Sequence, residues 1–250
     1  MPLEGTIDPV GERVIELNAR YHQHSATDVL QHALEDPAFG ATALVSSFGA
    51  ESVVLLHMVA MIDRSVPVLF LDTQMLFAET LAYQRDVAKH LRLTNVTVRR
   101  PSRTETFLRD AEGDLHLSDP DACCRLRKVE PLEAALESFD GWISGRKRFQ
   151  GADRTQIDFF ENDGGRRIKV NPLVHWQPGD VQEYIENNNL PKHPLLTKGF
   201  PSIGCAPCTT RVAEGEDPRS GRWRGRQKVE CGIHFINGKV VPRPGIQATG

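Results

Sequence analysis

Five cysteines are the residues whose types and spacing most clearly suggest chemistry. Four form two short-range pairs, the adjacent Cys123 and Cys124 and the Cys-x-x-Cys pair Cys205 and Cys208, and Cys231 stands alone. A disulfide between adjacent cysteines is strained, because a trans peptide sets Cα atoms about 3.8 Å apart and disulfides need about 4.4 to 6.8 Å. The two pairs therefore predict a metal centre.

Two kinds of centre fit the four paired cysteines. Zinc commonly takes Cys-x-x-Cys as half of a tetrahedral site. Neighbouring cysteines project in different directions, so one small ion accepts both with difficulty, whereas a 4Fe-4S cube offers separate iron corners. The spacing favours a 4Fe-4S cluster and leaves zinc as the alternative.

Cys231 has the features of a nucleophile. A thiolate is the reactive form of cysteine, and nearby cations lower the thiol pKa. Residues 219–228 carry five basic side chains and no carboxylate, and His234 follows as a candidate to assist. We predict a single α/β domain over residues 1–250, in which about 209–250 is a flexible tail carrying the catalytic cysteine.

Composition limits the function classes. The net charge of -3 argues against a general nucleic-acid binder, so any anion site must be local. No run of about 18 apolar residues occurs, which argues against a membrane span. The opening residues lack the pattern of a secretory signal, and we expect a cytoplasmic protein, whose cysteines serve as ligands or nucleophiles.

Alternating patterns predict the elements that position these residues. Apolar runs at 41–46, 68–71, 95–99 and 142–145 predict strands, and helical patterns lie between them. Two short amphipathic helices precede the first strand, and a capped helix is expected after Pro172. Such alternation predicts an α/β fold with a mostly parallel sheet and functional loops at the carboxyl ends of the strands.

Seven segments together resemble one family. They are SSFGAES from 46, FLDT from 70, ACCRLRKVEPL from 122, VNPL from 170, FPSIGCAPCTT from 200, EDPRSGRW from 216 and ECGIH from 230. Their order and spacing resemble the assimilatory adenylyl-sulfate (APS) reductases, the iron-sulfur branch of the APS and phosphoadenylyl-sulfate (PAPS) reductase family. The resemblance implies an adenine nucleotide alpha-hydrolase-like fold and a 4Fe-4S cluster held by Cys123, Cys124, Cys205 and Cys208.

The resemblance also implies a reaction. Cys231 would attack the sulfur of adenylyl sulfate, expel AMP and carry a thiosulfonate, with His234 assisting. Thioredoxin, or a glutaredoxin-like donor, would then release sulfite by thiol exchange, as a step of assimilatory sulfate reduction.

Residues expected to bind the nucleotide follow the motifs. The turn after the first strand offers N–H groups and hydroxyls to a phosphate. The Asp-Thr pair matches a family LDTG motif, with Gln74 at the usual glycine, and the basic residues match family positions near the anionic groups. The predicted substrate-binding residues are Ser46, Ser47, Phe48, Gly49, Glu51, Asp72, Thr73, Lys128, Arg148, Arg219 and Arg222.

Several alternatives stay open at this point. One is a PAPS reductase or an enzyme of dual APS and PAPS specificity, and another is a zinc-stabilised nucleotide-binding protein without turnover. An ATP pyrophosphatase is disfavoured because the SGGxDS loop is absent. The oligomeric state is also open at this point, and a homo-oligomer is one of the alternatives.

Overall fold

A six-stranded sheet is the centre of the fold. The computed structural model describes residues 8–151, 154–226, 228, 230, 232 and 233. The strands are β1 (Thr42–Ser46), β2 (Val68–Leu71), β3 (Val96–Arg99), β4 (Gly141–Ile143), β5 (Phe160–Asp163) and β6 (Arg167–Val170). Their order is β3-β2-β1-β4-β6-β5, and every pairing is parallel except that of β5 with β6.

Helices cover the sheet and connect its strands. They are α1 (Pro9–Tyr21), α2 (Ala26–Glu35), α3 (Ser52–Ile62), α4 (Ala78–His90), α5 (Arg103–Arg109), α6 (Leu115–Ser118), α7 (Pro120–Cys124), α8 (Glu130–Leu136) and α9 (Pro178–Asn187). Of these, α3 is apolar on nearly every face and is buried. A helix of that composition belongs in the core rather than at the surface.

The sequence-based fold prediction is confirmed. The four predicted strands are β1 to β4, and the helical patterns correspond to helices of the structure within a few residues. The hairpin of β5 and β6 was missed: it is short, and its strands FEND and RIKV carry charges instead of an apolar run. No helix in the described part of the chain is long and apolar enough to cross a membrane.

A π-helical turn follows the adjacent cysteines. Asp119 caps α7, because its carboxylate accepts from the amides of Asp121 and Ala122. The chain then forms a π-helical turn, Arg125–Val129, before α8 begins. Insertions of this kind widen a helix locally and often occur at functional sites. This turn determines where Lys128 lies relative to the cysteines.

Part of the predicted tail is packed against the domain. Thr209 forms an isolated bridge with Arg222, and Trp223 is buried with 4% of its surface exposed. Gly221 lies so close to the Thr210 carbonyl that a Cβ there would meet it at 2.3 Å. Residues 209–226 therefore form a fitted loop, and the flexibility of the remaining tail stays a prediction.

Candidate active site

A cavity of about 970 Å³ opens beyond the carboxyl ends of β1, β2 and β4. The chain passes from β1 to β2 on one side, and β4 pairs with the other side of β1. Open α/β sheets bind ligands where the strand order reverses in this way. The volume lies at the upper end of the range of about 300 to 1,000 Å³ that is usual for small-molecule sites.

The loop between β1 and α3 forms one wall of this cavity. Ser46, Ser47, Gly49 and Glu51 line it, as predicted. The Gly49 amide donates to Ser52 Oγ at 3.0 Å, and the hydroxyls of Ser47 and Ser52 lie 3.3 Å apart. Because α3 begins here, unpaired N–H groups and the helix dipole favour a negatively charged ligand.

Two predicted substrate-binding residues have supporting roles instead and do not line the cavity. Phe48 is fully buried, packs edge-on against Phe70 with ring centroids 5.2 Å apart, and has a left-handed φ of 47°. Asp72 accepts from Arg100 Nε at 2.8 Å and from the Gln74 amide at 3.0 Å. Both residues hold the turns that shape the cavity. Gln74 has a φ of 60°, which explains why glycine suits its position.

Thr73 lines the cavity and connects the two cysteine pairs. Its hydroxyl lies 3.2 Å from Cys205 Sγ, and its carbonyl accepts from Arg127 NH1 at 3.0 Å. Arg127 belongs to the π-helical turn that follows Cys124. An isolated bridge of Leu76 with Cys205 holds the second pair against the same loop. The loop after β2 thus brings distant parts of the sequence together.

Three of the four paired cysteines, Cys123, Cys205 and Cys208, influence one another electrostatically. Cys123, Cys124 and Cys205 are buried, and Cys208 is partly buried. Burial raises the pKa of Cys123 to about 11, the Arg127 cation opposes the shift, and the Cys205 and Cys208 thiols add to it. Because the thiols of one pair act on the other, the two pairs are close in space.

Cations surround these thiols. The pKa of Cys208 is raised by burial and by Cys205, while Lys128, Arg226 and Arg222 act to lower it. Lys128 also lines the cavity, so it faces both the cysteines and the space where a ligand would bind. Several thiolates in one place need such compensating charge.

The residues present fit a sulfur-rich anionic cluster. Trp223 donates its amide to the Cys208 carbonyl at 3.0 Å. Its indole Nε1 is buried and has no hydrogen-bond partner among the described residues, which is unusual for a buried donor. Four thiols, adjacent cations and this donor suit an iron-sulfur cluster. Within the described ranges, no group of three or more His, Cys, Asp or Glu side chains is placed to hold a metal ion.

Basic side chains dominate the cavity although the whole chain is acidic. The described charged residues that line it are Lys128, Arg146, Lys147, Arg154, Arg219, Arg222 and Lys228 among the cations, and Glu51, Asp217 and Glu230 among the anions. A local excess of positive charge in a concave site attracts an anionic ligand. The sequence-based expectation of a local anion site agrees with this distribution.

Two of these cations are buried with carboxylate partners. Lys147 Nζ donates to Glu51 Oε2 at 2.8 Å, and burial lowers the pKa of Lys147 while Glu51 opposes that shift. Arg146 NH1 donates to both carboxylate oxygens of Glu161, at 2.7 and 3.1 Å. Lys147 therefore bridges two loops of the cavity wall.

Arg148, a predicted substrate-binding residue, lies outside the cavity. Its Nε donates to the Ile157 carbonyl at 2.8 Å and its NH2 to Asp158 at 2.6 Å. These two acceptors hold Arg148 outside the cavity, whereas the preceding Arg146 and Lys147 line it. Arg154, which sequence analysis missed, lines the cavity near this segment.

The predicted catalytic residues Cys231 and His234 lie outside the described residues, but their neighbours lie at the cavity. Glu230 and Ile233 line it, and Ile233 packs on the apolar cluster that includes Trp142. The predicted Arg219 and Arg222 also line it, on the loop that precedes this segment. The described neighbours of Cys231 thus lie at the same cavity as Arg219 and Arg222.

Sequence analysis missed Arg146, Arg154 and Trp223. Trp223 ends a motif that carried the family resemblance, so that motif was its available signal. Arg146 and Arg154 lie in a polar, charged stretch without periodicity, and nothing in the local pattern separates them from surface arginines.

Comparison with known proteins agrees with this site. The family described as the phosphoadenosine phosphosulfate reductase domain matches residues 41–211. The chain belongs to the phosphoadenosine phosphosulfate reductase family. The predicted family is thereby confirmed, and the matched residues include β1 to β6 and all four paired cysteines.

Individual members of this family are close in sequence. A protein of a Chelativorans species named adenosine 5'-phosphosulfate reductase is 45% identical, over 99% of this chain and 96% of its own length. A Mesorhizobium japonicum protein of the same name is 44% identical, over 91% of this chain and 89% of its own length.

Solved structures support the same family and fold. The crystal structure of phosphoadenylyl-sulfate (PAPS) reductase from Candida auris, a phosphate complex, is similar with a TM-score of 0.69 and 27% identity. The similarity covers 83% of this chain and 100% of that one. Candida glabrata FMN adenylyltransferase, at 15% identity and a TM-score of 0.54 over 84% of this chain and 77% of its own, shares the fold.

Proposed function

We propose that this protein reduces adenylyl sulfate to sulfite and AMP, with Cys231 as the nucleophile. One observation carries the proposal: a single cationic cavity is lined both by the strand-end loop Ser46–Ser52 and by Cys205 of the paired cysteines. The names of the Chelativorans and Mesorhizobium relatives support adenosine 5'-phosphosulfate as the substrate.

The reaction divides into two exchanges at sulfur. The Cys231 thiolate attacks the sulfur of the sulfo group, so a sulfur-sulfur bond forms, the bond from sulfur to the phosphate oxygen breaks, and AMP leaves. A thiolate of a dithiol donor of the thioredoxin class then attacks Cys231 Sγ. Sulfite leaves with the bonding electrons, and the donor's second thiol resolves the mixed disulfide to regenerate Cys231.

The cavity residues bind and orient the nucleotide in this proposal. The first-strand loop with Ser46, Ser47 and Gly49 receives the phosphate, while Arg219 and Arg222 hold the anionic groups. The Arg222 guanidinium packs directly against the Gly204 backbone, where a Cβ would lie 2.3 Å from it. Cys231 is the catalytic residue, and His234 assists it.

A 4Fe-4S cluster on Cys123, Cys124, Cys205 and Cys208 completes the proposal. When bound, the cluster supplies electrostatic tuning of the site, and the two exchanges at sulfur need no electron from it. Lys128 lies between these cysteines and the cavity, where its charge acts on both. Free thiols and a dithiol donor require a reducing compartment, which supports a cytoplasmic location.

The test is anaerobic turnover with reduced thioredoxin, in which sulfite is measured with adenylyl sulfate and, separately, with phosphoadenylyl sulfate. Iron and acid-labile sulfide are measured in the same preparation. We expect sulfite from adenylyl sulfate and none from Cys231→Ser. A faster reaction with phosphoadenylyl sulfate would favour PAPS reduction, the activity for which the Candida auris protein is named. If protein with intact iron and sulfide forms no sulfite from either nucleotide, the proposal is refuted.

A further inference from the structure

We infer that Glu230 is an internal carboxylate ligand of the cavity arginines, which the anionic part of the nucleotide displaces on binding. Glu230 Oε1 accepts from Arg154 Nε at 2.7 Å and lies 2.6 Å from Arg154 NH2. Arg219 NH2 donates to the same oxygen at 3.4 Å. One carboxylate oxygen is thus shared by two arginines that the sequence places far apart.

The donors that Glu230 uses are those that an incoming anion needs. Arg154 NH1 donates to Gln150 Oε1 at 2.5 Å, so all three guanidinium nitrogens of Arg154 already have acceptors. Its side chain is only 9% exposed, and the guanidinium is fixed within the cavity wall. A phosphate or phosphosulfate oxygen that binds the Nε edge of Arg154 must therefore replace Glu230.

The charge balance of the cavity supports the same conclusion. The pKa of Arg146 lies below its usual value, mainly because the side chain is buried. The Arg154 cation lowers this pKa as well, while the carboxylates of Glu161 and Glu230 act to raise it. Glu230 therefore neutralises part of a shared cationic cluster and does more than pair with one arginine. A dianionic ligand would take over this neutralisation, since the cations would otherwise be left uncompensated.

Glu230 immediately precedes Cys231 in the sequence, so displacement of Glu230 by an anion has a consequence for the nucleophile. While Glu230 is bound to the arginines, its carboxylate is fixed to the cavity wall. When an anion takes the arginines, Glu230 is released from this contact. Glu230 is thus a positioning residue that couples nucleotide binding to the placement of Cys231, an inference that rests on the proposed function.

The test uses AMP and adenosine as probes of the anaerobically purified full chain, with dissociation constants measured by calorimetry. Glu230→Gln removes the competing charge but keeps the side-chain shape. We expect it to bind AMP about fivefold more tightly, the effect of about 1 kcal/mol for a partly exposed ion pair, and to bind adenosine as the unaltered protein does. Glu216→Gln is the matched control: Glu216 pairs with Arg224 at 2.8 Å and does not line the cavity.

The outcomes separate this inference from the function on which it rests. Equal or weaker AMP binding by Glu230→Gln, with normal AMP binding by the unaltered protein, overturns the inference alone. Tighter binding of adenosine as well would also overturn it, because adenosine has no anionic group to compete with Glu230. An unaltered protein that binds no AMP overturns the nucleotide site and the inference together.

Discussion

Thr73 Oγ1 lies 3.2 Å from Cys205 Sγ, and this contact joins the loop after β2 to the second cysteine pair. The same hydroxyl accepts the Met75 amide at 3.2 Å, so its own proton is directed elsewhere. Toward a metal-bound thiolate, the hydroxyl is the donor. A hydrogen bond to a cluster thiolate stabilises the more negative, reduced state.

Thr73→Val tests this contact. The variant keeps all four paired cysteines, so we expect its iron and sulfide content to equal that of the unaltered protein. The reduction potential of the proposed cluster, measured by anaerobic spectroelectrochemistry, should become more negative because one hydrogen bond to sulfur is lost. Thr210→Val is the control, since that hydroxyl donates to the Gly221 carbonyl. Equal potentials in both variants would contradict the prediction.

Asp110 and Arg127 form a buried ion pair beside the adjacent cysteines. Arg127 NH2 lies 2.6 Å from Asp110 Oδ2, and the two side chains are 5% and 0% exposed. Burial acts to raise the pKa of Asp110, but the Leu115 amide and Arg127 lower it by more. The pKa of Asp110 therefore lies below its usual value. Asp110→Asn leaves the buried guanidinium without its countercharge, and we expect a loss of about 3 to 5 kcal/mol in the free energy of unfolding in urea.

A charge change on α5, the helix that ends just before Asp110, provides the control. Glu105 lies 3.7 Å from Arg109 and its side chain is 48% exposed. Glu105→Gln should leave the unfolding midpoint nearly unchanged, because exposed pairs contribute little. Similar midpoints for the two variants would mean that the buried pair does not stabilise the fold.

His193 predicts a pH dependence of stability. It is 1% exposed, accepts the Leu195 amide at Nδ1, and contacts Thr80 Oγ1 through Nε2 at 3.2 Å, as a neutral ring does. Burial lowers its pKa to about 4, although Glu79 opposes the shift. The unfolded chain therefore takes up the proton first as the pH falls below about 6.5, and the stabilisation is lost from there toward pH 4.

The measurement is urea unfolding at two pH values. Between about pH 7 and pH 5.5, His193 should account for a loss of about 1 kcal/mol. His193→Gln keeps a polar side chain of similar size without this titration, so its stability should fall less over the same interval. If the two proteins lose stability equally, His193 is not the titrating group.

Replacing Arg148 and replacing Arg219 should have different effects on nucleotide binding. Arg219 lines the cavity, whereas Arg148 is held outside it by Asp158. Arg219→Ala should weaken AMP binding by about tenfold or more, the value of a charge-assisted hydrogen bond, while Arg148→Ala should change the dissociation constant by less than about twofold. A tenfold loss for Arg148→Ala would restore the prediction made from the sequence motif.

The contrast between Arg148 and Arg154 shows how far the sequence predicts the site. Strands β1 to β4 follow from apolar runs, and the cysteine pairs follow from residue type and spacing. Which of several nearby arginines faces the cavity depends on tertiary partners: Asp158 holds Arg148 outside it, whereas Glu230 and Gln150 hold Arg154 in its wall. Charges within β5 and β6 also have tertiary partners, such as Arg146 for Glu161, and local patterns do not reveal those partners.

The contact of Thr73 with Cys205 also constrains the order of events during synthesis of the chain. The first cysteine pair precedes β4, but Cys205 and Cys208 emerge from the ribosome only after β6 and α9 are complete. The four thiols therefore cannot assemble on a nascent chain that lacks this segment. The proposed cluster can therefore be loaded on both pairs only after the whole sheet has been translated, and a chain truncated before Cys205 encodes all six strands but only two of the four proposed ligands.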